Sequence, residues 1–293
     1  MRSEQNVKPN SPSDLPRRGS PLTSWAGRGK VAVWPVVNIE HYLPGRPGPA
    51  IQPHLAHGHD LANSAWRDYG NRVGIWRLLR LFADLGVSFS AALNADVLRH
   101  HPDVAEAVVA SGAEILGHGM ENSTRHHDLA LQAEKDHIAG TLSALGRGTG
   151  RQVAGWLTPG FAVSTDTHRI LAELGLAYTA DFCDDDAPYW LDTPGGRLLA
   201  IPYSLETNDI SLFISMRYTP AQYADVVFEH VRQLCREPGG GRVVALGLHP
   251  FLVGQPSRIG HLRECLERLA ALDESWFTTG EEICELVQKE EES

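Results

Sequence analysis

The chain has 293 residues, 42% apolar and 21% charged, enough to bury a sizeable core as one large domain or two small ones. A net charge of −10 without a basic stripe argues against nucleic acid as a partner. No apolar run approaches the roughly 18–20 residues of a membrane span, and the first residues lack the apolar core of a secretory signal.

Residues 1–29, rich in Pro, Ser, Arg and Gly without periodicity, read as a weakly basic disordered tail, or a tail anchored on a partner subunit. Residues 30–293 read as a single catalytic domain. Val31 to Val37 is a continuous apolar run, as in a strand buried on both faces. Apolar residues at 75, 78, 79, 82 and 85 give the segment 72–85 helical spacing. Strands are expected at 87–93, 113–116, 153–157, 177–180, 198–201 and 243–248, with a short one at 276–277. Between them, helices are expected at 102–111, 127–145, 164–174, from Thr219-Pro220 onward, and over 259–272. Thr278 and Thr279 cap a last helix, with Glu281 and Glu282 placed for a capping box. Such alternation means an α/β domain with a largely parallel sheet, and about seven units point to a barrel. No glycine-rich phosphate loop follows a strand; Gly239-Gly240-Gly241 precedes one.

The cysteines at 183, 235, 265 and 284 form no CxxC pair, against a disulfide framework or a Cys-type zinc site, and fit a reducing cytoplasm. In an α/β barrel the chemistry sits at the C-terminal strand ends. Here those ends carry Asn38-Ile39-Glu40-His41, Asn94, Gly117-His118-Gly119, Trp156-Leu157-Thr158, Asp184-Asp185-Asp186, Tyr203 with Asn208, and Leu248-His249. His118 and His249 each follow an apolar strand directly. Three consecutive acids at 184–186 crowd like charge, which raises a carboxylate pKa, although one of them also suits a cap. Glu40 at the end of a buried strand needs a partner. Arg258 at a helix start opposes the dipole, which suggests a role in holding an anion or a carbonyl. His54, His57 and His59 match no standard metal spacing.

On these residues the chain resembles the polysaccharide deacetylase superfamily from about residue 30 onward. Within it the chain looks most like the cofactor-independent allantoinases and their peptidoglycan-deacetylase-like relatives. Asn38-Ile39-Glu40 stands where deacetylases carry Asp-x-Asp. Tyr69-Gly70-Asn71-Arg72-Val73-Gly74-Ile75-Trp76-Arg77-Leu78, Asp185-Asp186-Ala187-Pro188-Tyr189-Trp190, Pro202-Tyr203 through Asn208-Asp209, and Leu252-Val253-Gly254-Gln255-Pro256-Ser257-Arg258 match motifs of that branch. The resemblance implies a distorted, incomplete (β/α) barrel of about seven strands. It also implies a homo-oligomer, a tetramer, acting on a small molecule. Position 122, where metal-dependent members carry their second histidine, is Asn. No metal is therefore expected; if zinc or another divalent ion bound, Glu40, His118 and His126 would hold it. The branch's arginine after Thr158 is absent, and Pro250-Phe251 replaces a polar pair, which shifts the expected substrate from allantoin toward a less polar cyclic amide, imide or ureide.

The expected reaction is hydrolysis of a carbon–nitrogen bond that opens such a ring. Glu40 or Asp185 activates water, and His249 is the general acid. His118 or backbone N–H groups of 158–161 face the oxyanion. Asn38, Arg72, Trp156, Thr158, Asp186, Tyr203, Asn208 and Arg258 contact substrate. The alternatives are a metal-dependent deacetylase of an N-acetylated sugar and a non-catalytic small-molecule binder.

Overall fold

A computed structural model describes residues 17–18, 25, 27–46, 48–55 and 60–292. Among them, ten strands join one sheet: β1 (Arg17–Arg18), β2 (Val31–Ile39), β3 (Ser90–Leu93), β4 (Glu114–Gly117), β5 (Gly155–Trp156), β6 (Tyr178–Thr179), β7 (Tyr189–Thr193), β8 (Gly196–Ala200), β9 (Arg242–Leu248) and β10 (Ser275–Phe277). The strands β2 to β6, β8, β9 and β10 pair in parallel, and the sheet curls into an open, distorted barrel. β7 turns back antiparallel onto β8, and β1 adds antiparallel to β7.

β2 is the central staff, buried at all nine positions. One edge pairs with β9 over Val31–Val37. The other pairs first with β10 over Val31–Val33, then with β3 over Val36–Ile39. The carbonyls of Val33 and Ile39 point to that second edge. Alternation therefore turns the Pro35 nitrogen into the gap between β10 and β3, where a missing N–H costs no ladder bond. This is how a proline sits in a central strand.

The helix Pro220–Arg236 opens with Thr219 and Gln222 in a reciprocal capping box. Thr279 caps the helix Gly280–Glu291 by accepting from the Glu282 N–H. Three features depart from the sequence reading. The hairpin β7–β8 was not expected, although Thr193-Pro194-Gly195-Gly196 between apolar runs is a turn signal. The helix 72–85 starts earlier, at Leu61, and carries a π-turn over Gly70–Gly74 before continuing as Ile75–Leu85. The expected tail boundary moves: Trp25 is fully buried, packs edge-on against Trp276 and donates to the Arg242 carbonyl at 3.0 Å. Most of segment 1–29, together with His57 and His59, lies outside the described residues. No helix among the described residues is long and apolar enough to cross a membrane.

Candidate active site

A cavity of about 410 Å³ opens at the C-terminal ends of the strands, where Asn38, Glu40, His118, Thr158, Tyr203, Asn208 and His249 converge. Glu40 follows β2 directly, and its side chain is only 6% exposed. The Tyr42 hydroxyl donates to its Oε2 at 2.5 Å, and Asn122 Nδ2 donates to Oε1 at 2.8 Å. His118 Nε2 and His249 Nε2 each stand 3.6 Å from the same Oε1. Burial alone would raise the Glu40 pKa, but the two imidazoles beside it outweigh this and hold the carboxyl well below the usual range.

The two histidines are fixed in different ways. His118 Nδ1 lies 2.6 Å from the Leu157 carbonyl. A carbonyl only accepts, so Nδ1 carries a proton and Nε2 faces Glu40. His249 Nδ1 lies 2.6 Å from Asp209 Oδ1, while the His249 backbone N–H donates to Oδ2 at 2.6 Å. Both Asp209 oxygens thus accept, although burial pushes that carboxyl up against the pull of His249. His249 lies between two carboxylates. Burial would lower its pKa, yet Asp209 and Glu40 overcome this and push it up to about 10.

The opposite wall is built on Tyr203. Its hydroxyl accepts from Asn38 Nδ2 at 3.0 Å and from Asn208 Nδ2 at 3.4 Å. Burial raises its pKa, so the O–H stays protonated and its proton is available to a ligand. Gly247 makes room: a Cβ there would lie 2.5 Å from both the Tyr203 hydroxyl and the Asn208 amide. Thr158 lines the cavity, but its N–H and hydroxyl both go to Asp181, at 2.6 and 2.9 Å. Pro159 has no N–H and Phe161 spends its own on the Thr158 carbonyl, so most of that loop offers nothing to an oxyanion.

The conspicuous stretch Tyr69–Leu78 acts through position. Asn71 Nδ2 donates to the Glu40 carbonyl at 2.8 Å. Gly70 and Gly74 lie against the turn after His249: a Cβ on Gly74 would fall 2.0 Å from the Pro250 carbonyl oxygen. Arg77 donates to the Gly254 carbonyl at 2.8 Å. One helix thus positions both the residue after β2 and the residue after β9. Its π-turn is where the fit is made.

Several expected site residues lie elsewhere. Asp185 is exposed and accepts from the Ala187 N–H in a local turn, so it is not placed to activate water. Asp186 is exposed too, and its carbonyl holds Val243 at the start of β9, the end far from His249. Arg72 is 74% exposed and faces Asp68 over a neighbouring cavity. Trp156 is fully buried beneath the wall, its indole N–H on Thr158. Arg258 lies over the Phe213 ring and reaches the Leu252 carbonyl, bracing the turn after His249 instead of contacting the cavity. His126 faces Glu134 at 3.6 Å, among Trp156 and His137, and does not join Glu40.

The residues present do not fit a metal. Among the described residues no three His, Cys, Asp or Glu side chains gather as an ion requires. The position a third ligand would take beside Glu40 holds the Asn122 amide, oriented by its second bond to Tyr42 at 3.0 Å, with an N–H toward the carboxylate. Sequence reasoning missed Tyr42, Asn71, Asp181 and Asp209, and read Asn122 only as a lost ligand. Asp209 and Asp181 carried a usable signal, an acid at a strand end, and Asn71 lies within the matched stretch Tyr69–Leu78; Tyr42 carried none.

An open, curled and mostly parallel barrel defines a class: the chain has the polysaccharide deacetylase fold. The comparisons agree. The crystal structure of a probable polysaccharide deacetylase from Pseudomonas aeruginosa PAO1 superposes with a TM-score of 0.83 at 26% identity, covering 93% of this chain and 95% of that one. The crystal structure of PuuE allantoinase gives 0.82 at 25% identity, with 93% and 94% covered. A Schizosaccharomyces pombe protein provisionally described as a polysaccharide deacetylase is 27% identical over 241 residues, 74% of this chain and 73% of its own. No family model matches the chain. A deacetylase and an allantoinase among its structural neighbours fit a hydrolase acting on a carbon–nitrogen bond.

Proposed function

We propose that the protein opens a small cyclic amide, imide or ureide by hydrolysis, with Glu40 as general base, His249 as general acid and no metal. The observation that carries this is Glu40 Oε1 held 3.6 Å from His249 Nε2, with the imidazoles lowering the Glu40 pKa and the carboxylates of Asp209 and Glu40 raising that of His249. Glu40 takes a proton from water as the water oxygen bonds to the ring carbonyl carbon. The Tyr203 O–H meets the developing oxyanion. The C–N bond then breaks, and the nitrogen leaves with the proton of His249. Glu40 passes its proton back to His249, which resets the pair. A cavity of about 410 Å³ suits a small ring better than a long glycan chain.

One observation favours a second reading. His118 Nε2 is buried without a hydrogen-bond partner, as a metal-binding nitrogen of a deacetylase would be before loading. A single panel decides between them: allantoin, hydantoin, succinimide-type imides and N-acetylglucosamine oligomers, assayed after chelator treatment and again with added zinc. Ring opening that persists with chelator supports the proposal. Deacetylation that requires zinc refutes it, and binding without turnover would mean a non-catalytic homologue. A homotetramer is part of the proposal, and light scattering tests it.

A further inference from the structure

Arg125 sits in the wall of the same cavity, on the segment that follows His118. Among the described residues it is the one Arg or Lys that lines this cavity. Its side chain is half-buried, yet no carboxylate, carbonyl or hydroxyl among the described residues meets its guanidinium. The other half-buried and buried arginines nearby behave differently. Arg67 reaches the Pro49 carbonyl at 2.8 Å and covers the Tyr42 ring, and Arg77 reaches the Gly254 carbonyl. A guanidinium offers five N–H donors in a planar fork, and this one has them free to meet a ligand in the cavity.

The position is also built. Gly160 lies in the left-handed region at φ 58°, and a Cβ there would fall 2.3 Å from Arg125 Nη1. Glycine at 160 therefore clears the space that the guanidinium occupies. The adjoining wall is apolar, with the Phe161 ring edge-on to Tyr203 at 5.6 Å. The cavity thus joins a hydrolytic end at Glu40 and His249 to a flat apolar wall and an unpaired planar cation.

We infer that Arg125 reads an anionic substituent on the substrate, so that the substrate class is a cyclic amide, imide or ureide bearing a carboxylate. This rests on the proposed hydrolysis for the reacting end of the molecule, but the anion subsite stands on its own geometry. A carboxylate matches the guanidinium fork with two parallel hydrogen bonds, which a neutral ring cannot make.

The test uses matched pairs of probes: dihydroorotate against dihydrouracil, and hydantoin-5-acetate against hydantoin. Binding is measured by calorimetry on the full chain, and turnover is measured separately. In the wild type the carboxylate member of each pair binds about 10- to 100-fold tighter, the worth of one charged hydrogen-bonded pair. In Arg125→Gln the ratio falls to about 1, and Arg125→Lys, which keeps the charge and loses the fork, falls between. Gly160→Ala lowers the ratio as well, because its methyl displaces the guanidinium. A ratio near 1 in the wild type, a ratio unchanged in Arg125→Gln, or no binding by any probe overturns the inference. Arg125-dependent binding of the carboxylates with no ring opening sustains the anion subsite and refutes the proposed reaction instead. Circular-dichroism melts of the variants separate loss of the subsite from loss of the fold.

Discussion

Replacing Asp209 by Asn removes one of the two charges that hold His249 protonated while keeping size and shape. The nearest atoms of the pair are 2.6 Å apart, and both groups are buried. Their charge centres are then about 4 Å apart, where two unit charges at an effective dielectric of ~20 interact by about 4 kcal/mol, or about three pKa units. His249 should fall from about 10 to about 7, with Glu40 and burial still acting on it. An Asn also cannot accept from both His249 donors at once, since one of its two positions is an NH₂. The substitution is therefore expected to cost kcat about 10²- to 10⁴-fold as the general acid is lost or misdirected. Histidine-selective ¹⁵N NMR titration of wild type and variant reads the pKa without needing a substrate, and the alkaline limb of kcat/KM reads it kinetically. If the His249 titration stays where it was, the carboxylate does not set its charge and the acid assignment fails.

Five further outcomes are expected. Glu40→Gln should lower kcat by about 10²- to 10⁴-fold with substrate still bound, and intact turnover would remove Glu40 as the base. Tyr203→Phe should lower kcat by about 10²- to 10³-fold with little change in KM; an effect confined to KM would make the hydroxyl a binding group only. The charged His249 is lost as pH rises through about 10, and Glu40 protonates only below the usual carboxylate range, so kcat/KM should be flat from about pH 5 to 9. Stability follows the same groups. The His249 contribution is complete below its unfolded pKa of about 6.5 and fades toward about 10, whereas that of Glu40 is present above about 4.3 and fades as pH falls, as melts across pH would show. Gly74→Ala should cost about 1–3 kcal/mol in urea unfolding, because its methyl meets a backbone carbonyl that cannot rotate away. A neutral or stabilising result would mean the helix can shift freely from the turn at Pro250.

Much of the fold and part of the site were legible because an apolar run followed by a polar residue is an unambiguous pattern. Glu40, His118 and His249 are each the first chemical group after a buried strand, and the structure brings all three to one cavity. The acids at 184–186 follow the same pattern and were misleading. Distance along the chain says that charges crowd, but not that the loop carries them outward to water. Arg72 was read on a regular helix. The π-turn at Gly70–Gly74 inserts an extra residue per turn, which presents Asn71 to Glu40 and turns Arg72 to solvent. Arg125 belongs to no periodic segment, so its approach to Gly160 exists only in three dimensions.

The helix from Leu61 to Leu85 grips the carbonyl of Glu40 and the turn after His249, and among the described residues no hydrogen bond of Glu40 or His249 goes to the wall at Thr158–Phe161. That wall has its own anchor in Asp181, which His168 holds in turn at 3.3 Å. Under the proposed reaction, the acid–base pair and the wall that would face the rest of the substrate therefore have separate mountings. Residues 158–161 and Arg125 can be exchanged to accept a different ring without moving the acid or the base. Any change in the thickness of the helix at Gly70 or Gly74 alters the reach between acid and base for every ring alike. Diversification of substrate along this architecture is expected to concentrate in the wall and to leave that helix untouched.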